Sequence, residues 1–150
     1  MEESKNTTTR KSSDLIENIL HLNDDEFMRE RQQEIEIDRL TKATGKPFII
    51  KIKSLSVDRI FELQSNSYNS KGSLHLGKLY KGAVAACCEA IIEPNFDDVR
   101  LKKKLNLNDS ALKKDVLQKI LKPKEIQFIN NRIVDLSGFD SDIADELKNE

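Results

Sequence analysis

The residues that could carry out acid–base or metal chemistry are few and widely separated along the chain. The two histidines, His21 and His75, lie in unrelated settings, and neither forms an evident catalytic motif with a serine or a cysteine. The two cysteines, Cys87 and Cys88, are adjacent within an apolar helical pattern. Because neighbours on a helix point about 100° apart, we expect two small, at least partly buried thiols rather than a disulfide or a metal site.

Acidic clusters and glycines could form two further kinds of site, a cation site and a phosphate-binding loop. The clusters Asp24-Asp25-Glu26 and Asp97-Asp98 stand at expected helix starts, where carboxylates interact favourably with the helix dipole. The segment Gly77-Lys78-Leu79 has leucine where a Walker loop has serine or threonine. The sequence therefore predicts no enzyme, no cofactor and no metal ion.

The composition is that of a polar globular chain without a basic excess. Hydrophobic residues make up 37% of the 150 residues and charged residues 34%, which is enough apolar material for one domain with a core. The 25 Lys and Arg residues and the 26 Asp and Glu residues give a net charge of -1, whereas nucleic-acid binders are usually basic. No signal peptide and no apolar stretch of about 18 residues is present, so we expect a cytoplasmic protein with no membrane partner.

The periodicity predicts a fold that is mainly α with a small N-terminal β-hairpin (α+β class), built as a single helical domain. Alternation of polar and apolar residues predicts the hairpin at about 34–53, with strands at about 34–41 and 47–53. A five-residue loop that contains Gly45 would join the strands. A continuous helix through 24–41 is the competing interpretation.

The remaining segments are expected to be helices and two polar ends. Residues 1–12 are expected to be a disordered tail, residues 13–139 a single domain, and residues 140–150 an acidic flexible tail. Helices are expected at about 57–65, 74–92, 97–105, 110–121 and 124–137.

Two of these segments carry apolar stripes that could pack in a core or bind a partner. The last expected helix has Ile126, Ile129, Ile133 and Leu136 at a regular 3-4-3 spacing. One hypothesis is that this stripe packs on the helix that ends at Ile92, and the other is that it binds a partner. A shorter stripe near the N-terminus consists of Leu15, Ile16, Ile19 and Leu20.

The pair of expected helices at 110–121 and 124–136 superficially resembles a helix-turn-helix. The presumed recognition helix carries Glu125 and Asp135, which would approach the DNA phosphates, so nucleic acid is not the favoured partner. A small DNA-binding regulator of this type stays as an alternative function. Its positive charge would come from Lys102, Lys103, Lys104, Lys113 and Lys114.

Several segments, taken in their order along the chain, resemble one protein family. They are GKPFIIK at 45–51, IIEPNF at 91–96, DDVRL at 97–101, LKPKEI at 121–126 and IVDLSGF at 133–139. Each segment is short, but their order and spacing over residues 34–139 resemble the XkdN-like phage tail assembly chaperones.

This resemblance implies a helper protein that is made in the host cytoplasm and is absent from the mature virion. Such a chaperone binds the tape measure protein, a long helical protein, and keeps it soluble. The chaperone also helps subunits of the tail tube protein to polymerise around the tape measure protein, and the chaperone tends to self-associate. The family has no catalytic residues to carry over to this sequence. A minor structural tail protein is a further alternative.

The resemblance also suggests a longer frameshift product as a partner. The peptide Leu147-Lys148-Asn149 can be encoded by A-AAA-AAC or A-AAA-AAT, which permits a backward ribosomal slip. The longer product would keep this domain and add a second one. A stop codon immediately in the shifted frame would eliminate the idea.

Overall fold

A computed structural model gives the fold of the chain in two compact units. One unit contains residues 12–22 and the other begins at Arg31. The structure describes residues 12–22, 31–65, 72 and 75–139. Several features predicted from the sequence lie outside these residues, namely both expected tails apart from Ser12, the acidic cluster at 24–26 and the peptide at 147–149.

The first unit contains a short helix, α1 (12–20), which includes Ser12. Two backbone hydrogen bonds join the residues after the helix to its last turns. The His21 N–H donates to the Glu17 oxygen at 3.0 Å, and the Leu22 N–H donates to the Ile19 oxygen at 3.1 Å. Every residue from 12 to 22 is exposed.

The second unit contains a three-stranded antiparallel sheet in the order β1-β2-β3. Its strands are β1 (Gln32–Glu36), β2 (Ile49–Lys53) and β3 (Ile91–Glu93). Ile35 lies opposite Ile50 in the register, and both are buried together with Ile52. The alternation noted in the sequence therefore places one apolar face against the core.

The connection between β1 and β2 is helical, so the predicted strand at 34–41 and the five-residue loop are wrong in detail. The strand β1 ends at Glu36, and helix α2 (Asp38–Thr44) follows it. Gly45 has a φ of 75° and donates its N–H to the Thr41 oxygen at 2.9 Å, so it ends a helix rather than forming a hairpin turn. The Thr41 hydroxyl then accepts the Phe48 N–H at 2.9 Å, which leads the chain into β2. The competing helix through 24–41 is also wrong, because β1 occupies part of it.

The other helices surround one central helix. They are α3 (Val57–Ser65), α4 (Leu76–Ala90), α5 (Val99–Lys104), α6 (Lys113–Ile120) and α7 (Pro123–Val134), followed by a π-helical turn at Asp135–Phe139. Helix α4 packs against α3, α6 and α7. Its small residues Ala83 and Ala86 are buried, and small side chains allow the neighbouring helices to approach closely.

Several helix ends differ from the expected ranges, and local contacts account for two of them. Helix α4 ends at Ala90, because the next three residues form β3 and the residue before Pro94 is restricted to extended backbone. Helix α6 begins at Lys113, where the Asp115 carboxylate accepts the Leu112 N–H at 3.2 Å. Helix α7 ends at Val134, and Leu136 lies on the π-helical turn instead.

One apolar core joins the sheet to α4, α6 and α7. The side chains that are 0% exposed come from all of these elements and from the β3–α5 connection. They are Ile50, Ile52, Cys87, Ala90, Phe96, Val116, Leu117, Ile126, Ile129 and Ile133. The fold class predicted from the sequence, mainly α with a small N-terminal β-hairpin, is confirmed, although β3 adds a third strand to the expected pair.

Candidate functional site

The apolar stripe of the last helix lies inside the fold. Ile126, Ile129 and Ile133 are each 0% exposed, and α7 packs along α4. The Cys87 thiol lies 3.6 Å from the Ile126 oxygen, within hydrogen-bonding reach, which shows how closely the two helices approach. Leu136 is half-buried and packs against the same core. In the folded chain, therefore, the three isoleucines present no surface to a partner.

The apolar stripe of α1 is exposed. Its side chains keep between 44% and 75% of their surface in contact with solvent. They are Leu15, Ile16, Ile19, Leu20 and, just after the helix, Leu22. The spacing in the sequence identifies this stripe but gives no signal that it is uncovered, since a buried stripe has the same spacing. Contiguous apolar surface of this kind is typical of protein-binding sites.

The two thiols lie in surroundings that disfavour nucleophilic chemistry. Burial raises the pKa of Cys87 to about 12, so this thiol stays protonated at neutral pH. Burial also raises the pKa of Cys88, which is half-buried. His75 accepts the Lys78 N–H through Nδ1 at 3.1 Å and thereby caps the start of α4. Within the described ranges, no three potential ligands gather to hold a metal ion.

Two of the five lysines that suggested DNA binding are held by internal contacts. Lys102 is 5% exposed, and its Nζ contacts the Asp97 carboxylate at 2.7 Å and the Asp109 oxygen at 3.2 Å. Lys113 donates from Nζ to the Cys88 oxygen at 2.8 Å. These ammonium groups fix the chain around α5 and α6, so they are not free to neutralise phosphates.

The start of α7, which would meet DNA in a helix-turn-helix, is occupied by an ion pair. Arg39 on α2 donates from Nε and Nη2 to the two Glu125 carboxylate oxygens, at 3.0 and 2.8 Å. The same Nη2 donates to the Ile120 oxygen at 2.8 Å. The hydrogen bond from Arg39 lowers the pKa of Glu125, which therefore stays ionised at neutral pH. This pair holds α2 against the ends of α6 and α7.

No helix in the described part of the chain is long and apolar enough to cross a membrane.

Comparison with known proteins identifies the family. The structure is similar to the crystal structure of the protein yqbn, with 20% identity over 73% of this chain and 87% of that chain, and a TM-score of 0.45. No curated protein matches the chain. The family model described as "Phage XkdN-like tail assembly chaperone protein" matches residues 16–149. The chain therefore belongs to the XkdN-like phage tail assembly chaperones.

Proposed function

We propose that this chaperone binds the tape measure protein before the tail tube encloses it, keeps it soluble, and helps tube subunits to polymerise around it. Membership of the family supports a role in tail assembly through contacts with other proteins. The observation that carries the finer proposal is the exposed apolar stripe of α1, whose four large side chains are 53–75% exposed, together with Leu22 just after the helix, which is 44% exposed.

The stripe is suited to a helical partner. Residues 15, 16, 19 and 20 recur with helical spacing, so they form a continuous ridge that can lie along an apolar stripe of another helix. A helix as short as α1 is marginal in water unless its apolar face is covered, so binding would stabilise both helices. The high proportion of charged residues, 34% of the chain, would keep the complex in solution.

The proposal includes the setting in which the chaperone acts. It works in the host cytoplasm, self-associates, catalyses no reaction and is absent from the mature virion. Mass spectrometry of purified particles separates this role from that of a minor structural tail protein. The chaperone should be missing or present only in traces, whereas a stoichiometric amount would identify a structural component.

A DNA-binding role is less well supported by the same structure. The contacts of Lys102 and Lys113 reduce the available positive charge, and the Glu125 carboxylate lies at the start of the presumed recognition helix. Binding to duplex DNA with an affinity that falls steeply with salt would restore this alternative.

Co-expression with the tape measure protein tests the proposal. The variant Leu15→Gln/Ile19→Gln replaces two exposed apolar side chains of α1 with polar ones that favour helix, so the chain should still fold. The matched control is Val99→Gln/Leu112→Gln, which changes side chains of similar exposure, 53% and 58%, in the second unit. We expect the tape measure protein to be soluble with the wild type and with the control, and to aggregate with the α1 variant. Equal solubility with all three chains would reject α1 as the binding surface.

A further inference from the structure

The strand β1 forms one edge of the sheet, and its outward backbone groups have no strand beside them in the described part of the chain. The sheet order places β2 on one side of β1 and no described strand on the other. An open edge of this kind is a template for pairing with another chain.

The register shows which backbone groups point outwards. The Ile37 N–H donates to the Phe48 oxygen at 3.0 Å, and the Ser54 N–H donates to the Arg31 oxygen at 2.7 Å. The direction of the backbone hydrogen bonds alternates from residue to residue along an antiparallel strand. The backbone N–H and C=O groups of the odd-numbered residues of β1 therefore point towards β2. The N–H and C=O groups of Gln32, Glu34 and Glu36 therefore point away from the sheet. None of these six groups has a backbone partner among the described residues of the second unit, 31–65, 72 and 75–139.

A groove continues from the end of this edge. It has a volume of about 300 Å³ and lies between the β1–α2 junction and the first turns of α7. Glu36 belongs to both the strand edge and the groove, and Ile37 and Asp38 line the groove beside it. Phe128, which is 53% exposed, contributes an aromatic wall. An extended chain that paired with β1 could therefore continue into a partly apolar groove.

The charges along the edge are mainly negative. No ion pair within the described ranges involves Glu34, Glu36 or Asp38, although Lys51 lies opposite Glu34 in the register. Two cations line the groove, Arg39 and Lys124, and Arg39 is held by Glu125. The strand edge itself carries the carboxylates of Glu34 and Glu36. The partner that fits this edge is therefore basic.

A second copy of the chain is a poor occupant of the edge. Two β1 strands paired antiparallel about their centres would place Glu34 directly opposite its own copy and Glu36 opposite Gln32. Like charges directly opposite each other destabilise a strand pair, whereas opposite charges stabilise it. The charge pattern thus favours a different protein over self-pairing.

We propose that the β1 edge accepts an extended segment of another protein as a fourth strand. The segment carries lysine or arginine at alternate positions, beside Glu34 and Glu36. Its intervening apolar side chains extend the buried face of the sheet, and its end enters the groove beside Phe128. This surface is distinct from the α1 stripe, so the proposal stands or falls independently of tape measure binding.

Titration of the full chain with short peptides tests the proposal. The probe is a peptide of alternating lysine and valine, and its acidic counterpart has glutamate in place of lysine. We expect the basic peptide to bind at low salt and the acidic one to bind at least about tenfold more weakly. The double variant Glu34→Lys/Glu36→Lys should reverse this preference. The matched control Asp58→Lys/Asp109→Lys makes the same change of charge away from the edge and should keep the original preference.

Two further measurements separate strand addition from a purely electrostatic contact. Glu34→Pro removes one outward N–H without touching the β1–β2 hydrogen bonds, and it should weaken binding about fivefold. A basic peptide methylated on alternate backbone nitrogens should likewise bind more weakly, and this measurement needs no change to the protein. The contact is not strand addition if the wild type binds the methylated peptide as tightly as the unmethylated one and Glu34→Pro binds the basic peptide as tightly as the wild type does. Absence of binding by the basic peptide would also overturn the proposal.

Discussion

Replacement of Ile133 by alanine probes whether the stripe of α7 is core. The side chain is 0% exposed and lies in the cluster that joins α4, α7 and the sheet. The change removes three methyl or methylene groups, which corresponds to about 2.4 kcal/mol at the usual value of about 0.8 kcal/mol for each buried group. A cavity would remain because α4 and the sheet hold the surrounding side chains in place. The total loss should therefore fall within about 2–5 kcal/mol.

Urea unfolding followed by circular dichroism measures this loss. The midpoint should fall while the slope with denaturant stays the same, since the surface exposed on unfolding changes little. The control is Phe128→Ala on the same helix, where the side chain is 53% exposed, and its cost should be about 1 kcal/mol or less. If Ile133→Ala cost less than about 1 kcal/mol and instead reduced the solubility of the tape measure protein, the stripe would be a partner surface and the core assignment would be refuted.

Three further predictions concern a helix contact, a thiol and an ion pair. Gly82→Ala should destabilise the chain by about 1–2 kcal/mol despite its better helix propensity, because the new Cβ would lie 2.9 Å from the Leu63 oxygen, and a gain in stability would contradict that contact. Cys87, whose pKa is raised to about 12 by burial, should resist a thiol reagent at about pH 8 until the chain unfolds, and rapid labelling of the native protein would show that it is accessible. Glu125→Gln should reduce stability at neutral pH. Because Arg39 holds the folded-state pKa of Glu125 below the ordinary 4.5, the advantage of the wild type is complete above that value and is lost as the pH falls through the lowered pKa. An advantage that is unchanged at about pH 3 would show that the ion pair is not its source.

The parts of the fold that were predictable from the sequence are those in which burial follows a regular period. Ile50 and Ile52 alternate with lysines and lie on the buried face of β2, and Ile126, Ile129 and Ile133 keep helical spacing along α7. In these elements the local pattern and the tertiary environment agree, so the periodicity was sufficient.

The differences occur where a local contact outweighs the pattern. Helix α2 has no buried residue and hence no stripe to predict it, and Gly45 could equally have formed a turn. Ile91 and Ile92 continue the helical spacing of α4, but Pro94 and pairing with β2 favour a strand. Helix α6 begins at Lys113 rather than at about 110, because the Asp115 carboxylate accepts the Leu112 N–H, a contact that depends on how the preceding loop folds.

The candidate surfaces were the least predictable features. The spacing of Leu15, Ile16 and Ile19 indicates an amphipathic helix but not whether another element covers it. The open edge of β1 depends on strand order, which brings distant segments together and which no single segment specifies. Both surfaces required the arrangement of the elements in space.

Amide hydrogen exchange, measured for the chain alone and in complex with the tape measure protein, tests most directly whether α1 is the chaperone's contact. We expect the amides of residues 15–22 to exchange markedly more slowly in the complex, because the partner covers the apolar stripe and stabilises the helix. The amides around Ile126 and Ile129 should change little, since those residues are buried with or without the partner. If residues 15–22 exchanged at the same rate in both states while a stable complex was present, α1 would not be the binding surface.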